Sequence, residues 1–325
     1  MRYLILFITL ALTLNRANSQ SITILPDSTR ASNFRGIAWI SPLKVSDIPN
    51  AVLPTPTLPV QGEGTRFMWI PSRSAFRAGT IENRGGNEQT FWDASNVGLY
   101  SFTAGYNTLA NGRLGVAFGH STKAQGHNST ALGYLSLAGG AYSLATGIAT
   151  SANGNASTTM GFYTTTPSFA TLTIGRWNSN FNGLPNLSDW VATDPLFIAG
   201  NGISFQQPSH ALVLYKNGNL TIAGSLTQNS DLRLKKDIVT LENVSSKLMQ
   251  LRGVRYQFDL SKRPSLPDGL QIGLVAQEVE ALFPELVFTD AEGFKSVDYA
   301  RLTPILLQAF KELAMRVQKL EMKIK

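Results

Sequence analysis

Ser230 opens the run Ser-Asp-Leu-Arg-Leu-Lys-Lys, which is the one constellation in this chain with a specific chemical reading. A serine hydroxyl becomes a nucleophile when a base takes its proton. No histidine follows His210, so the base at hand is lysine, either Lys235 or Lys236. An amine serves as a base near neutral pH only if its pKa is lowered by several units, through burial or through positive neighbours such as Arg233 and Lys236. The competing reading is that the run is a charged strand end. Residues five apart face opposite sides of a strand, or lie about 140° apart on a helix, so the segment must bend for the two side chains to meet. Alternatively, they meet within an assembled neighbourhood.

The elements that position this run lie on both sides of it. Upstream, ten glycines recur at intervals of seven, from Gly98 through Gly105 and Gly133 to Gly161. Alanines such as Ala110, Ala117, Ala124 and Ala131 stand two residues before them, and Ser or Thr four before. Heptads suggest coiled coils, but glycine costs a helix interior about 1 kcal/mol relative to Ala and here fills the most regular position. Offsets of two place Gly, Ala and Ser/Thr on one face of a strand. A face with so little bulk predicts a narrow β-solenoid or β-roll whose opposite walls touch. Such a roll buries little per chain and leaves open edges, which predicts an oligomer. The decay of the pattern at Thr159 and Ser168 predicts that the roll ends near 161.

The repeats, as in GRLGVAFGHSTKAQGHNSTALG, resemble the head repeats of trimeric autotransporter adhesins. That resemblance implies a left-handed parallel roll assembled as a trimer. Residues 229–325, with VRYQFDL, QIGLVAQEVEALFPELV and SVDYARLTPILLQAFKELAMRVQKLE, resemble the intramolecular chaperone and auto-processing peptidase domain of endosialidase-type phage tailspikes and of a membrane-anchored eukaryotic transcription factor. The resemblance implies a Ser-Lys dyad of Ser230 and Lys235, a scissile bond at Asn229-Ser230, and support from Asp231 and Arg233. It also implies that cleavage waits for trimer formation. The adhesins end in a membrane β-barrel anchor, whereas this chain ends in the processing domain.

The fold expected is therefore mainly β: a trimeric parallel β-roll head with a C-terminal α+β chaperone domain that ends in a coiled coil. The apolar run Leu4–Leu14 followed by Ala17-Asn18-Ser19 reads as a signal peptide over 1–19, too short for the roughly 20 residues that span a bilayer. An N-terminal cap region follows over 20–95, with Pro49, Pro54, Pro56 and Pro59 and then Phe67, Trp69, Phe76, Phe91 and Trp92, aromatics suited to closing the first coil or to stacking on a glycan. The repeats occupy 96–161 and a β-rich neck 162–228. The chaperone domain takes 229–298 and the coiled coil 299–325. In the last segment Tyr299, Leu302, Leu306, Phe310, Leu313, Val317, Leu320 and Ile324 alternate at steps of three and four.

The net charge of +7 over 325 residues forms no long basic cluster outside the C-terminal quarter, which argues against a nucleic-acid partner. Cysteine is absent, so disulfides do not stabilise the chain. His120 and His127 follow repeat glycines, yet no carboxylate or cysteine accompanies them, so no metal and no cofactor is expected. The functional expectation is a secreted or cell-surface homotrimer, adhesin-like, with a host, glycan or matrix ligand and no transmembrane segment in the mature chain, which matures by one self-cleavage. The alternatives are a phage-like tail fibre or receptor-binding protein with the same processing domain, and a structural fibre with an inactive dyad.

Overall fold

The computed structural model describes residues 56, 58, 60–178 and 185–324. The expected signal peptide and most of the proline-rich stretch lie outside those residues. The described chain is mainly β, with a parallel solenoid and one long C-terminal helix.

The chain enters through an antiparallel hairpin, β1 (Gly64–Ile70) and β2 (Ala75–Ile81), and β2 then pairs in parallel with the first strand of the solenoid, β3 (Phe102–Tyr106). Each coil consists of a five-residue strand and a two-residue strand: β3 with β4 (Leu109–Ala110), β5 (Val116–His120) with β6 (Lys123–Ala124), and β7 (Thr130–Tyr134) with β8 (Leu137–Ala138). The winding continues with β9 (Leu144–Ile148), β10 (Ser151–Ala152), β11 (Thr158–Phe162), β12 (Thr165–Thr166) and β13 (Leu172–Arg176). Partners in adjacent coils are fourteen residues apart, as Phe102 with Val116 and Leu109 with Lys123. A heptad is thus half a coil, and successive heptads build opposite walls.

Those walls meet at a column of alanines, Ala110, Ala117, Ala124, Ala131, Ala138, Ala145 and Ala152, all with no exposed surface. Buried hydroxyls close the turns beside them: Ser129 Oγ donates to the Gly126 carbonyl at 2.7 Å and Ser143 Oγ to the Gly140 carbonyl at 2.7 Å. At these two serines the hydroxyl is satisfied within its own turn, which suits it to a dry interior. Glycine in the long strand answers a different need. Gly133 has φ +103°, and a β-carbon there would lie far inside contact distance of the Gly147 carbonyl of the next coil. At the corners non-glycine residues adopt the left-handed region, among them Leu114 (φ 58°), Asn128 (φ 56°) and Leu135 (φ 56°). Each is held by a bond to the preceding coil, as Leu135 N–H to the His120 carbonyl at 2.8 Å.

The winding does not stop near residue 161 as the sequence pattern suggests. β11 pairs with β13 in the same register, and β13 passes the sheet on to β14 (Pro195–Asn201), β15 (His210–Tyr215) and β16 (Leu220–Ile222). Thr159, Thr166 and Thr173 replace alanine in the interior and are fully buried. The Thr159 and Thr166 hydroxyls bond to each other, which satisfies their burial. Ser168 stands where the other column has glycine in the preceding coils, at which a β-carbon would meet the next coil's carbonyl, and its hydroxyl is engaged with Thr171 Oγ1 at 2.6 Å.

At the entry end Phe91 and Trp92 are buried, with Trp92 Nε1 donating to the Thr108 carbonyl at 2.8 Å, while Phe67 and Trp69 remain exposed. Arg77 occupies the interior column, where Thr103 and Ala117 follow it. Its guanidinium donates to Ser101 Oγ at 2.9 Å and to the Ala110 carbonyl at 3.0 Å, and burial pushes its pKa down to about 10.

The C-terminal part contains α1 (Val244–Leu248), the hairpin of β17 (Val254–Tyr256) and β18 (Gln271–Gly273), α2 (Ala276–Leu282), the hairpin of β19 (Val287–Thr289) and β20 (Lys295–Val297), and α3 (Leu302–Ile324). Its core is Val244, Val279, Phe283, Leu286, Leu302 and Ile305. α2 ends at Leu282, and Pro284, which cannot continue it, opens the 3-10 turn that follows Phe283.

The steric argument at Gly133 makes a direct prediction. Gly133→Ala will destabilise the roll by roughly 2–5 kcal/mol in thermal unfolding, from left-handed strain and overpacking together. Gly139→Ala, whose β-carbon would meet nothing nearer than 3.4 Å, will change it by no more than about 0.5 kcal/mol.

Candidate active site

After β16 the chain runs exposed from Ala223 to Asn243. Within it, Asp231 is extended (φ −62°, ψ 136°), Leu232–Leu234 form one 3-10 turn, and Lys235 is extended again (φ −115°, ψ 144°). Extended, turn, extended is a U-shaped path, and it supplies the bend that a five-residue separation requires. Lys235 Nζ lies 2.8 Å from Ser230 Oγ. In the protonated state the ammonium donates to the hydroxyl oxygen; with a neutral amine the same contact lets the hydroxyl donate to nitrogen, which is the geometry a general base needs.

Asp231 and Arg233 hold the turn. Asp231 Oδ1 accepts from the Arg233 backbone N–H at 2.9 Å, and Oδ2 accepts from Arg233 Nη2 at 2.7 Å. The Arg233 guanidinium, and secondarily its backbone N–H, hold the Asp231 carboxyl below the usual carboxylate range. Asn229 precedes the turn with its side chain exposed, and Lys236 follows it, also exposed. Of the two lysines that the sequence leaves open as base, only Lys235 has a contact with Ser230 among the described residues.

Beyond the turn, Glu312 of α3 reaches α1. Its carboxylate accepts from the backbone N–H of Val244 at 3.2 Å, from that of Ser245 at 2.9 Å, and from Ser245 Oγ at 2.6 Å. Asn243, the residue that precedes α1, makes no side-chain cap, so the cap comes from 69 positions further along the chain. Glu312 lies off the apolar seam of α3, and no local sequence signal marks its partner. Tyr299 is displaced from its expected place at the head of that seam. It precedes α3, and its hydroxyl accepts from Leu274 N–H at 2.9 Å. The remaining seam residues lie on α3; Leu302 is buried against α1 and α2, while Leu306, Phe310, Leu313, Val317, Leu320 and Ile324 are exposed.

The histidines stay apart from this site. His120 is stacked between Tyr106 and Tyr134, with centroids 4.7 and 4.8 Å away, and His127 is exposed. Among the described residues no group of three or more His, Cys, Asp or Glu side chains could hold a metal ion, and none of their helices is long and apolar enough to cross a membrane.

Two segments of the chain match known families. Residues 230–288, beginning at the serine itself, match the family described as chaperone of endosialidase, and residues 110–136 match two copies of the YadA head domain repeat. Among individual proteins, the chain is similar to long tail fiber protein Gp37 of Escherichia phage AR1, 39% identical over 87 residues, which is 25% of this chain and 8% of that protein. It is also similar to long tail fiber protein Gp37 of Salmonella phage S16, 35% identical over 120 residues, 33% of this chain and 14% of that protein. The chain thus spans a small part of the length of these relatives.

The Glu312 cap carries a pH signature. Bonding from the Ser245 hydroxyl, then from its backbone N–H, lowers the Glu312 pKa. A carboxylate with a depressed folded pKa contributes stability that is present above its unfolded value, about 4.3, and is lost as pH falls through the folded value. The melting temperature of the C-terminal part is therefore expected to fall as pH drops below about 4.3, and Glu312→Gln will lower it at pH 7 and make the acid fall shallower.

Proposed function

We propose that this chain is a homotrimeric, exported or surface-exposed fibre protein, adhesin-like in its head, whose C-terminal domain guides assembly and then cuts the chain once at Asn229-Ser230. The observation that carries the reading is the 2.8 Å contact between Lys235 Nζ and Ser230 Oγ at the first residue of the segment that matches the endosialidase chaperone family.

In the proposed reaction, the neutral Lys235 amine takes the Ser230 hydroxyl proton as Oγ attacks the carbonyl carbon of Asn229. The Asn229 C–N bond breaks, leaving Asn229 as an ester on Ser230 Oγ, and the freed Ser230 amine takes the proton from Lys235. Water then hydrolyses the ester, giving an Asn229 carboxylate and regenerating the hydroxyl. Each chain acts once, because nucleophile and scissile bond belong to the same residue pair.

Two surfaces support self-association. The outward positions of the long strands from Phe102 to Arg176 carry Phe102, Val116, Phe118, Leu132, Leu144, Ile148, Met160, Phe162, Leu172 and Ile174, with no Asp, Glu or Lys. Many of these are substantially exposed in the single chain, an apolar extent that a soluble monomer rarely shows. The outward positions of the short strands include Lys123, Ser151 and Thr165, so the long-strand wall is the one assigned to neighbouring copies. The exposed apolar residues of α3 supply the second surface, in a form suited to a coiled coil.

A tail-fibre reading is favoured by the two tail-fibre relatives and shares both trimer and processing. Export separates the two, through the expected signal peptide over 1–19. Adhesion and its ligand, whether host, glycan or matrix, follow from the head repeats alone.

Expression of residues 20–325 is expected to yield two fragments whose masses join at Asn229-Ser230, while Ser230→Ala and Lys235→Ala each yield one full-length chain by mass spectrometry. An uncut parent that has assembled would remove the enzyme and leave a trimerisation module. The double variant Phe118→Lys with Leu132→Lys is expected to sediment as a monomer or as an aggregate where the parent sediments as a trimer.

A further inference from the structure

The dyad sits on a single turn that has no core of its own. Leu232 is 72% and Leu234 71% exposed, and the flanking residues from 223 to 243 are exposed as well. An isolated turn fixes several backbone angles for very few bonds, so it is unfavourable unless something else holds it. Its backbone contributes two bonds, Leu234 N–H to the Asp231 carbonyl and Lys235 N–H to the Leu232 carbonyl, both 3.1 Å. In an extended path Ser230 and Lys235 would stand about 16 Å apart at their α-carbons, on opposite faces. Whatever closes the turn therefore decides whether hydroxyl and amine meet.

We infer that Asp231 and Arg233 are the positioning residues of this site: together they close the turn that brings the Ser230 hydroxyl and the Lys235 amine into hydrogen-bond reach. Among the contacts of the described residues, neither side chain bonds to Ser230 or Lys235, and each acts through the backbone between them. Asp231 caps the turn through Oδ1. Arg233 Nε lies 3.1 Å from Oδ1 and 3.2 Å from Oδ2, and Nη2 lies 2.7 Å from Oδ2, so the guanidinium spans both carboxylate oxygens and fixes the plane of the capping group. The pattern Ser-Asp-x-Arg-x-Lys then has a mechanical sense, with two chemical residues at the ends and the two residues that fold the path placed between them. The inference rests on the self-cleavage reading above.

The test is the single-turnover rate of fragment formation in the full chain from residue 20, followed against pH. Asp231→Ala removes cap and clamp and is expected to slow cleavage about tenfold. Asp231→Ser, which keeps a capping oxygen without the charge, should recover part of that loss, and Arg233→Ala, which loses the clamp together with one positive neighbour of Lys235, should slow cleavage about threefold. A positioning role lowers the plateau of the pH–rate profile and leaves its midpoint in place. The charged neighbours in this stretch, Lys235, Lys236 and Asp237, are unchanged in every variant. A midpoint displaced by Asp231→Ala would mean that the carboxylate acts on the base by its charge, which overturns the inference, as would cleavage of Asp231→Ala at the parent rate. Sedimentation of each variant checks assembly, and if Asp231→Ala fails to assemble, Asp231→Ser and Arg233→Ala carry the comparison. An uncut parent removes the cleavage reading itself and is distinguishable from a parent that cuts while its variants cut equally fast.

Discussion

The opposite walls of each fourteen-residue coil approach so closely that only Gly, Ala, Ser and Thr fit between them, and the rest of the head depends on this closeness. It dictates the small-residue columns, the left-handed glycine in each long strand and the hydroxyls that close their own turns. It also dictates where the larger apolar residues must go. With no room inside, Phe118, Met160 and Ile174 point outward, so a single chain exposes the surface that an ordinary domain would bury. Arg77 is the exception, and it lies at the first coil, where the interior column begins and carbonyls remain to receive its donors.

A head of this kind poses a folding problem that the proposed C-terminal chaperone would solve. The interior is nearly identical from coil to coil, so little in it distinguishes one register from a slip by a whole coil. Pairing between separate chains adds contacts that are slow to form. A helix such as α3, with exposed apolar residues from Leu306 to Ile324 and its base anchored by Leu302 and Ile305, offers a local means of aligning copies at one end. Removal of that element after assembly would leave a fibre that is kinetically trapped, because unfolded chains would no longer carry the part that aligned them.

The contacts of the C-terminal part show how far linear reading reaches. The amphipathic α2 and its stop at Pro284 were legible because both signals are local. The bend between Ser230 and Lys235 was legible as a necessity, since a five-residue separation forbids contact in a straight strand, but its form was not. The cap of α1 by Glu312 and the bond from Leu274 to Tyr299 were invisible, because each joins residues that are distant in sequence and marked by no motif. The assignment of Tyr299 to the helical seam failed for the same reason: its spacing fits the seam, but its hydroxyl is engaged elsewhere.

By itself the sequence determined that the middle of the chain winds as a narrow solenoid, since residue size alone excludes a helix and a conventional core. It also determined which serine and lysines were available for chemistry. The tertiary structure decided that two heptads make one coil, because only the pairing of Phe102 with Val116 reveals that successive heptads lie on opposite walls. It decided that the winding continues to Arg176, because β13 pairs with β11 in the same register and threonine, small enough for the interior, takes the place of alanine there. And it placed Lys235 rather than Lys236 against Ser230, because the direction in which a side chain leaves a capped turn is set by backbone angles that composition and spacing do not specify.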